Sequence, residues 1–225
     1  MAKTLVFDYD GTIHETLVVY EPVIREVVAE LEEKGLICKG KRAELTQDMI
    51  AGWLGVNAKE MWQQFQPDFS DEQRDMASAM VGERIEQFIR DGRGRWYEGA
   101  EEVLDDLKAK GYSMVILSNS KIKTRDFHFD FFNMKRWFDR WYDCESYGWA
   151  PKTEIIQDIK RQYGDDLVVI GDRKADIDAA VAAAVASIGC LYGYGSEAEL
   201  GEATVKINDI RELTDVKILN PKDVP

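Results

Sequence analysis

The sequence predicts an α/β protein: a doubly wound, mostly parallel, Rossmann-like sheet interrupted by an all-helical insertion. Three observations carry this expectation. Short β-branched apolar runs alternate with amphipathic helical patterns, the arrangement that builds a parallel sheet covered by helices. Three of those runs, 4–8, 113–118 and 167–171, are apolar along nearly their whole length, as strands buried on both faces are. Residues 15–95 break the alternation, with several helix patterns and no convincing strand.

In chain order, the first strand at 4–8 leads into the insertion. There, Pro22 marks the start of a helix over 23–34, with Gly35 beyond it. Asn57-Ala58-Lys59-Glu60 and Ser70-Asp71-Glu72-Gln73 read as capping boxes. Met76, Met80, Val81, Ile85, Phe88 and Ile89 recur at helical spacing over 70–91. Asp91-Gly92-Arg93-Gly94-Arg95 is the return hinge, because two glycines in five residues continue a helix only at a cost. The insertion's Trp53, Trp62, Phe65 and Phe69 read first as packing residues. A helix over 98–110 buries Val103, Leu104 and Leu107 and stops at Gly111. Strands at 113–118, 141–145, 167–171, 187–191 and 204–207 alternate with helices over 151–163 and 176–186. The aromatic run from Phe127 to Tyr142 reads as a core-covering helix, or else as a dimer surface. The expected domains are therefore a core of 1–14 and 96–225 and a helical unit of 15–95.

Composition excludes several function classes. A chain of 225 residues buries enough surface to fold without a disulfide or metal staple. Lys+Arg 29 against Asp+Glu 42 gives 29 − 42 = −13, the wrong sign for a nucleic-acid backbone or an anionic membrane surface. No apolar run approaches the ~18 residues of a membrane span, and no signal-peptide pattern precedes the first strand. Cys38, Cys144 and Cys190 are far apart and odd in number, which suits reduced, buried thiols in a cytoplasmic protein.

Three polar clusters each end an apolar strand. Asp8-Tyr9-Asp10-Gly11-Thr12 places two carboxylates at the end of the first strand, with a glycine that allows close backbone approach. Ser118-Asn119 ends the second and offers a hydroxyl and backbone amides. Gly171-Asp172 ends the fourth, with Asp176 four residues on at a helix start. Ligands of open α/β sheets bind at that edge. Carboxylates crowded there repel one another without a cation, and oxygen-only ligands favour Mg²⁺ over Zn²⁺. A cation, a hydroxyl, free amides and a lysine together make a phosphate site. Gly193-Tyr194-Gly195-Ser196 formally matches a dinucleotide fingerprint, but no βαβ unit follows it.

Asp8-Tyr9-Asp10-Gly11-Thr12, Ser118-Asn119, Lys152 and Gly171-Asp172 with Asp176 resemble, in order, the four motifs of the haloacid dehalogenase-like superfamily. The insertion resembles that family's small helical cap. The stretches 96–100 and 171–196 look most like the phosphoglycolate phosphatase-like subgroup. The resemblance implies a sheet order of 5-4-1-2-3 and Mg²⁺-dependent hydrolysis of a small phosphate monoester. It implies Asp8 as nucleophile forming an aspartyl-phosphate, Asp10 as general acid and then base, and catalytic Ser118 and Lys152. Gly11, Thr12, Ser118, Asn119 and Lys152 would bind phosphate; Asp8, Asp10, Asp172 and Asp176 would hold the metal. Lys121 and Lys123 compete for the lysine's place, since Thr153 stands where proline is common. An acidic residue at Asp10 separates phosphatases and phosphomutases from dehalogenases. The alternatives are a phosphosugar mutase of the same superfamily and, in a different class, a phospho-receiver or non-catalytic binding protein. The mechanism has no vacancy for His14 or His128, which are expected to be structural. Trp53 and Lys59, in and beside the loop 52–57, are the expected specificity residues of the cap. The expected partner is a small phosphorylated metabolite, and the expected state a monomer or homodimer.

Overall fold

A computed structural model describes residues 3–219; Met1, Ala2 and residues 220–225 lie outside it. The elements run, in chain order, β1 (Thr4–Phe7), α1 (Leu17–Glu33), α2 (Lys41–Glu44), α3 (Gln47–Gly52), α4 (Ala58–Phe65), α5 (Asp71–Arg90) and α6 (Ala100–Ala109). They continue through β2 (Ser113–Ser118), α7 (Ile122–Phe131), β3 (Arg140–Asp143), α8 (Lys152–Tyr163), β4 (Leu167–Gly171), α9 (Lys174–Ala183), β5 (Ala186–Cys190) and β6 (Val205–Ile207). The six strands form one sheet in the order β3-β2-β1-β4-β5-β6, parallel at every pairing. The expected order 5-4-1-2-3 is present, with β6 added beyond β5.

The two-residue period of a strand sorts the core into two layers. Leu5 and Phe7 of β1 face one side, with Met114, Ile116, Val168 and Ile170 from the neighbouring strands and Val103, Leu104 and Leu107 of α6. Val6, Val115, Leu117 and Val169 face the other, against Ile155, Ile156 and Ile159 of α8 and Ala179, Ala180 and Ala183 of α9. Helices thus cover both faces, which is what near-continuous apolar strands require. No helix among the described residues is long and apolar enough to cross a membrane.

The chain divides into two compact units. One comprises the residues up to His14 and from Trp96 on; the other is Glu15–Arg95. The second unit is helical. Val19, Val23, Ile24, Val27, Val28 and Leu31 of α1 are buried, as are Ala77, Val81, Phe88 and Ile89 of α5. Ser70 and Gln73 exchange both bonds of a capping box, and Asn57 accepts from the Glu60 amide at 2.9 Å. The unit's ends are tied together by Arg95, which donates to both carboxylate oxygens of Glu15 at 2.6 and 2.8 Å.

Several boundaries differ from the sequence reading. Helix α1 begins five residues before Pro22 and carries that proline inside it. The apolar stripe already includes Val19, fully buried, and its burial outweighs the missing hydrogen bond. Helix α9 spans 174–183 rather than 176–186, because Ala184 turns left-handed at φ 53° and Ala186 joins β5. Strand β3 stops at Asp143, and a 3₁₀ turn over Glu145–Tyr147 follows. The aromatic run is not one helix but spans α7, a 3₁₀ turn over Met134–Arg136 and β3: Trp137, Phe138, Trp141 and Tyr142 are core residues, whereas Phe131 of α7 is exposed. Cys144 and Cys190 are buried free thiols, but Cys38 is exposed.

Pro22 sits in the second turn of α1, where proline removes an internal hydrogen bond and crowds the carbonyl four residues earlier. Pro22→Ala is expected to raise stability by about 1–3 kcal/mol, read as an upward shift of the thermal midpoint. A lower midpoint would show that the proline is accommodated without strain.

Candidate active site

The pairing register brings the three polar clusters together. Phe7 of β1 stands opposite Ile116 of β2 and Ile170 of β4. Asp8 therefore leaves the sheet beside the ends of both neighbours, and its amide still donates to the Ile170 carbonyl at 2.8 Å. Strand β1 lies between β2 and β4, where the connections leave in opposite directions. This is the switch point at which open α/β sheets form a crevice.

Four ionisable side chains meet there. The Lys152 ammonium, on the first residue of α8, donates to Asp8 Oδ1 at 2.6 Å and to Asp176 Oδ1 at 2.7 Å. Asp8, Asp172 and Asp176 each offer a carboxylate oxygen within 4.8 Å of the others, and all three residues are buried. Asp176 Oδ2 accepts the Arg173 amide at 3.0 Å. A Cβ on Gly171 would overlap the Asp176 carboxylate, so β4 ends in the residue that leaves room for it. Thus Lys152, rather than Lys121 or Lys123, is the lysine in contact with Asp8.

Charge dominates this cluster. Three carboxylates against one ammonium give −3 + 1 = −2 in a buried site, and unpaired buried charge is costly. Burial raises the Asp8 carboxyl above its ordinary range, with Lys152 opposing and Asp10 adding to the rise. Burial, Asp8 and Asp176 push Asp172 well up. Asp176 rises to about 6, through burial only partly offset by Lys152. Lys152 moves upward because Asp176 and Asp8 outweigh the effect of its burial. A divalent cation would balance the charge, and an all-oxygen donor set fits a hard cation. The buried aspartates thus make a fitting metal site.

The remaining expected residues fall into place as follows. Ser118, the last residue of β2, has a buried Oγ with no hydrogen-bond partner among the described residues. Asn119 accepts from Cys144 Sγ through Oδ1 at 2.8 Å. Asp10 is half-buried, and its backbone forms an isolated β-bridge with that of His14. Gly11 adopts φ 87°, and a Cβ on it would overlap Asp172 and the Tyr194 ring. The Gly11 amide donates to the His14 carbonyl at 3.0 Å. Thr12 is fully buried; its hydroxyl donates to Asp172 Oδ1 at 3.3 Å and its amide to the Tyr9 carbonyl at 3.3 Å. The donors of Gly11 and Thr12 that phosphate would use are thus turned inward by the tight turn over 9–14.

His14 and His128 lie in an aromatic box. The Tyr9 hydroxyl is 2.8 Å from His128 Nδ1, and His14 stacks on Tyr9 at 5.1 Å. Burial holds both imidazoles below their usual range, His128 at about 3, so both are neutral near pH 7. In the helical unit, Trp53 is buried against Phe65, ring centres 5.4 Å apart. Lys59 is exposed and paired with Asp71 at 3.3 Å. Sequence reasoning gave no sign of the Cys144–Asn119 contact or of the contact between the loop after β5 and Asp172.

The sequence profile of haloacid dehalogenase-like hydrolases matches residues 2–184. The chain belongs to this family. Its fold is also that of solved structures of low sequence identity. A predicted phosphatase from Clostridium acetobutylicum is 22% identical, with 97% of this chain and 99% of that chain covered and a TM-score of 0.76. A predicted phosphoglycolate phosphatase from Haemophilus somnus is 17% identical, with 96% and 98% covered and a TM-score of 0.76. CbbY from Rhodobacter sphaeroides, in complex with phosphate, is 16% identical, with 95% and 96% covered and a TM-score of 0.73. No curated protein matches the chain.

The raised carboxylate values of this hydrolase have a pH consequence. Protons retained near pH 6 must leave before a cation binds. A divalent cation held by these aspartates is therefore expected to bind about tenfold more weakly at pH 5 than at pH 7, one pH unit below a group titrating near 6 costing about a factor of ten. Calorimetric titration at the two pH values reads this directly. Equal affinities would mean that no ligand carboxylate titrates between these pH values.

Proposed function

We propose that this hydrolase is a Mg²⁺-dependent phosphatase that hydrolyses a small phosphate monoester through an aspartyl-phosphate on Asp8. The observation that carries the reading is the buried Asp8 carboxylate held by Lys152 at 2.6 Å, in the aspartate cluster at the strand-end edge that also carries the buried Ser118 hydroxyl. Phosphoryl transfer calls for positioning and charge neutralisation more than for covalent chemistry, and this is a charge-handling site. The phosphatase descriptions of the Clostridium and Haemophilus proteins, and the phosphate bound by CbbY, support the same reading. The Haemophilus protein makes phosphoglycolate one member of the substrate class to test.

In this mechanism a carboxylate oxygen of Asp8 attacks phosphorus while Asp10 gives a proton to the departing alkoxide. Water then attacks the aspartyl-phosphate, Asp10 takes its proton, and inorganic phosphate leaves with Asp8 regenerated. Lys152 neutralises charge on Asp8 and on the phosphoryl oxygens, and Ser118 and Asn119 hold those oxygens. Asp8, Asp172, Asp176 and the Asp10 carbonyl are the proposed holders of Mg²⁺, which when bound supplies positive charge to the transferring phosphoryl group. The proposed setting is cytoplasmic, on the three free cysteines.

Phosphate release over a panel of monoesters tests the reading. Asp8→Asn is expected to reduce turnover to background. Asp10→Asn is expected to lower kcat by about 10²–10⁴-fold on alkyl phosphates. Aryl phosphates, whose leaving groups need little protonation, should lose less in the first step and accumulate phosphoenzyme. Retained turnover in Asp8→Asn would assign the nucleophile elsewhere.

Lys59 and Trp53 are the helical unit's proposed contributors to leaving-group choice. Trp53→Ala also removes packing against Phe65, so Lys59→Ala is the cleaner test. It should change the ranking of kcat/KM across the panel while Mg²⁺ affinity stays constant. A uniform fall for all substrates would remove Lys59 from that role.

A further inference from the structure

The loop after β5 takes no part in the chemistry described above, yet it closes around one of the proposed cation ligands. We propose that residues 192–199 form a clasp that positions the Asp172 carboxylate and so sets the divalent-cation affinity of the site, an inference that rests on the metal reading given above.

Both oxygens of Asp172 are held, from different parts of the chain. The Tyr194 amide donates to Oδ2 at 2.7 Å, and the Thr12 hydroxyl donates to Oδ1 at 3.3 Å. The same loop also fixes Thr12, because the Tyr192 hydroxyl donates to the Thr12 carbonyl at 2.9 Å. Tyr192 is braced in turn by the edge of Tyr97, ring centres 4.8 Å apart.

The two glycines of the loop are there for close approach. Neither adopts a positive φ, so alanine is conformationally allowed at both. A Cβ on Gly193 would overlap Asp172 Cβ and its carboxylate, and one on Gly195 would overlap the Asp172 carbonyl. The backbone of the loop therefore lies directly on Asp172.

The clasp is anchored at both ends. Before it, the Leu191 amide donates to the Ile207 carbonyl at 2.8 Å. After it, Ser196 and Glu199 exchange hydrogen bonds at 3.3 and 3.2 Å. Glu199 also accepts from Arg173 Nε at 3.1 Å and from the Lys174 amide at 3.4 Å, next to Asp172 in the chain. Leu200 is fully buried.

A carboxylate oxygen that accepts one N–H retains lone-pair capacity for a cation. Groups that orient metal ligands in this way typically contribute 10–100-fold to affinity. The dinucleotide-like pattern Gly193-Tyr194-Gly195 thus has a purpose unrelated to nucleotides.

The test is calorimetric titration of the full chain with Mg²⁺, without substrate, alongside near-ultraviolet circular dichroism to confirm folding. Gly193→Ala is expected to bind Mg²⁺ about 10–100-fold more weakly than wild type. Thr12→Val should lose affinity in the same direction, and Thr12→Ser, which keeps the hydroxyl, should restore it. Gly82→Ala, in open space on α5, should bind as wild type does. If Gly193→Ala fails to fold, the Thr12 pair decides alone. Wild-type affinity in Gly193→Ala and Thr12→Val would overturn the clasp while leaving the metal reading intact. A wild type that binds no Mg²⁺ would overturn both.

Discussion

Everything at the strand-end edge of this protein is arranged around a buried excess of negative charge. Asp8 and Asp176 share one ammonium, Lys152, with the Asp172 carboxylate beside them, and removing even one carboxylate from water costs several kcal/mol unless it is compensated. Burial pushes Asp176 to about 6 and Asp172 well above its ordinary range, which favours either a proton or a cation at these carboxylates. A site built this way is strained toward binding positive charge. The same charge balance suits a dianionic phosphate group only after a cation is present.

The fold supplies the close approach that this charge cluster demands. Asp8 and Asp172 come from adjacent strands whose register is fixed by the ladder between β1 and β4. Lys152 and Asp176 are set by the first turns of α8 and α9, so helix placement on one face of the sheet determines the ion pairs. Three glycines, 11, 171 and 193, stand where a Cβ would strike an aspartate side chain of the cluster. Small residues here therefore reflect crowding by carboxylates.

Much of this was legible in the sequence because the signals were local and mutually consistent. Apolar runs bounded by Asp8, Ser118 and Asp172 predicted strands whose ends converge, and their pairing in one parallel sheet brings those ends together. What escaped was decided by tertiary contacts. Pro22 looked like a helix start, but burial of Val19 carries α1 past it. Ala184 has no local reason to turn left-handed; the pairing of Ala186 with Val168 imposes the helix end. The family resemblance implied Thr12 as a phosphate contact, whereas the fold turns its hydroxyl onto Asp172, 160 residues away. Cys144 reaches Asn119 only because β3 lies beside β2.

The proposed function stands on Asp8 as the nucleophile, since the roles proposed for Lys152, the aspartate cluster and Ser118 follow from it. The most direct measurement is mass analysis of the Mg²⁺-loaded enzyme, acid-quenched during turnover of a phosphate monoester and digested to peptides. The account predicts a gain of one phosphoryl group on the peptide containing Asp8, absent when Asp8 is replaced by Asn. A phosphoryl group on any other residue, or turnover with no phosphoenzyme under conditions where Asp10→Asn should trap it, would contradict it.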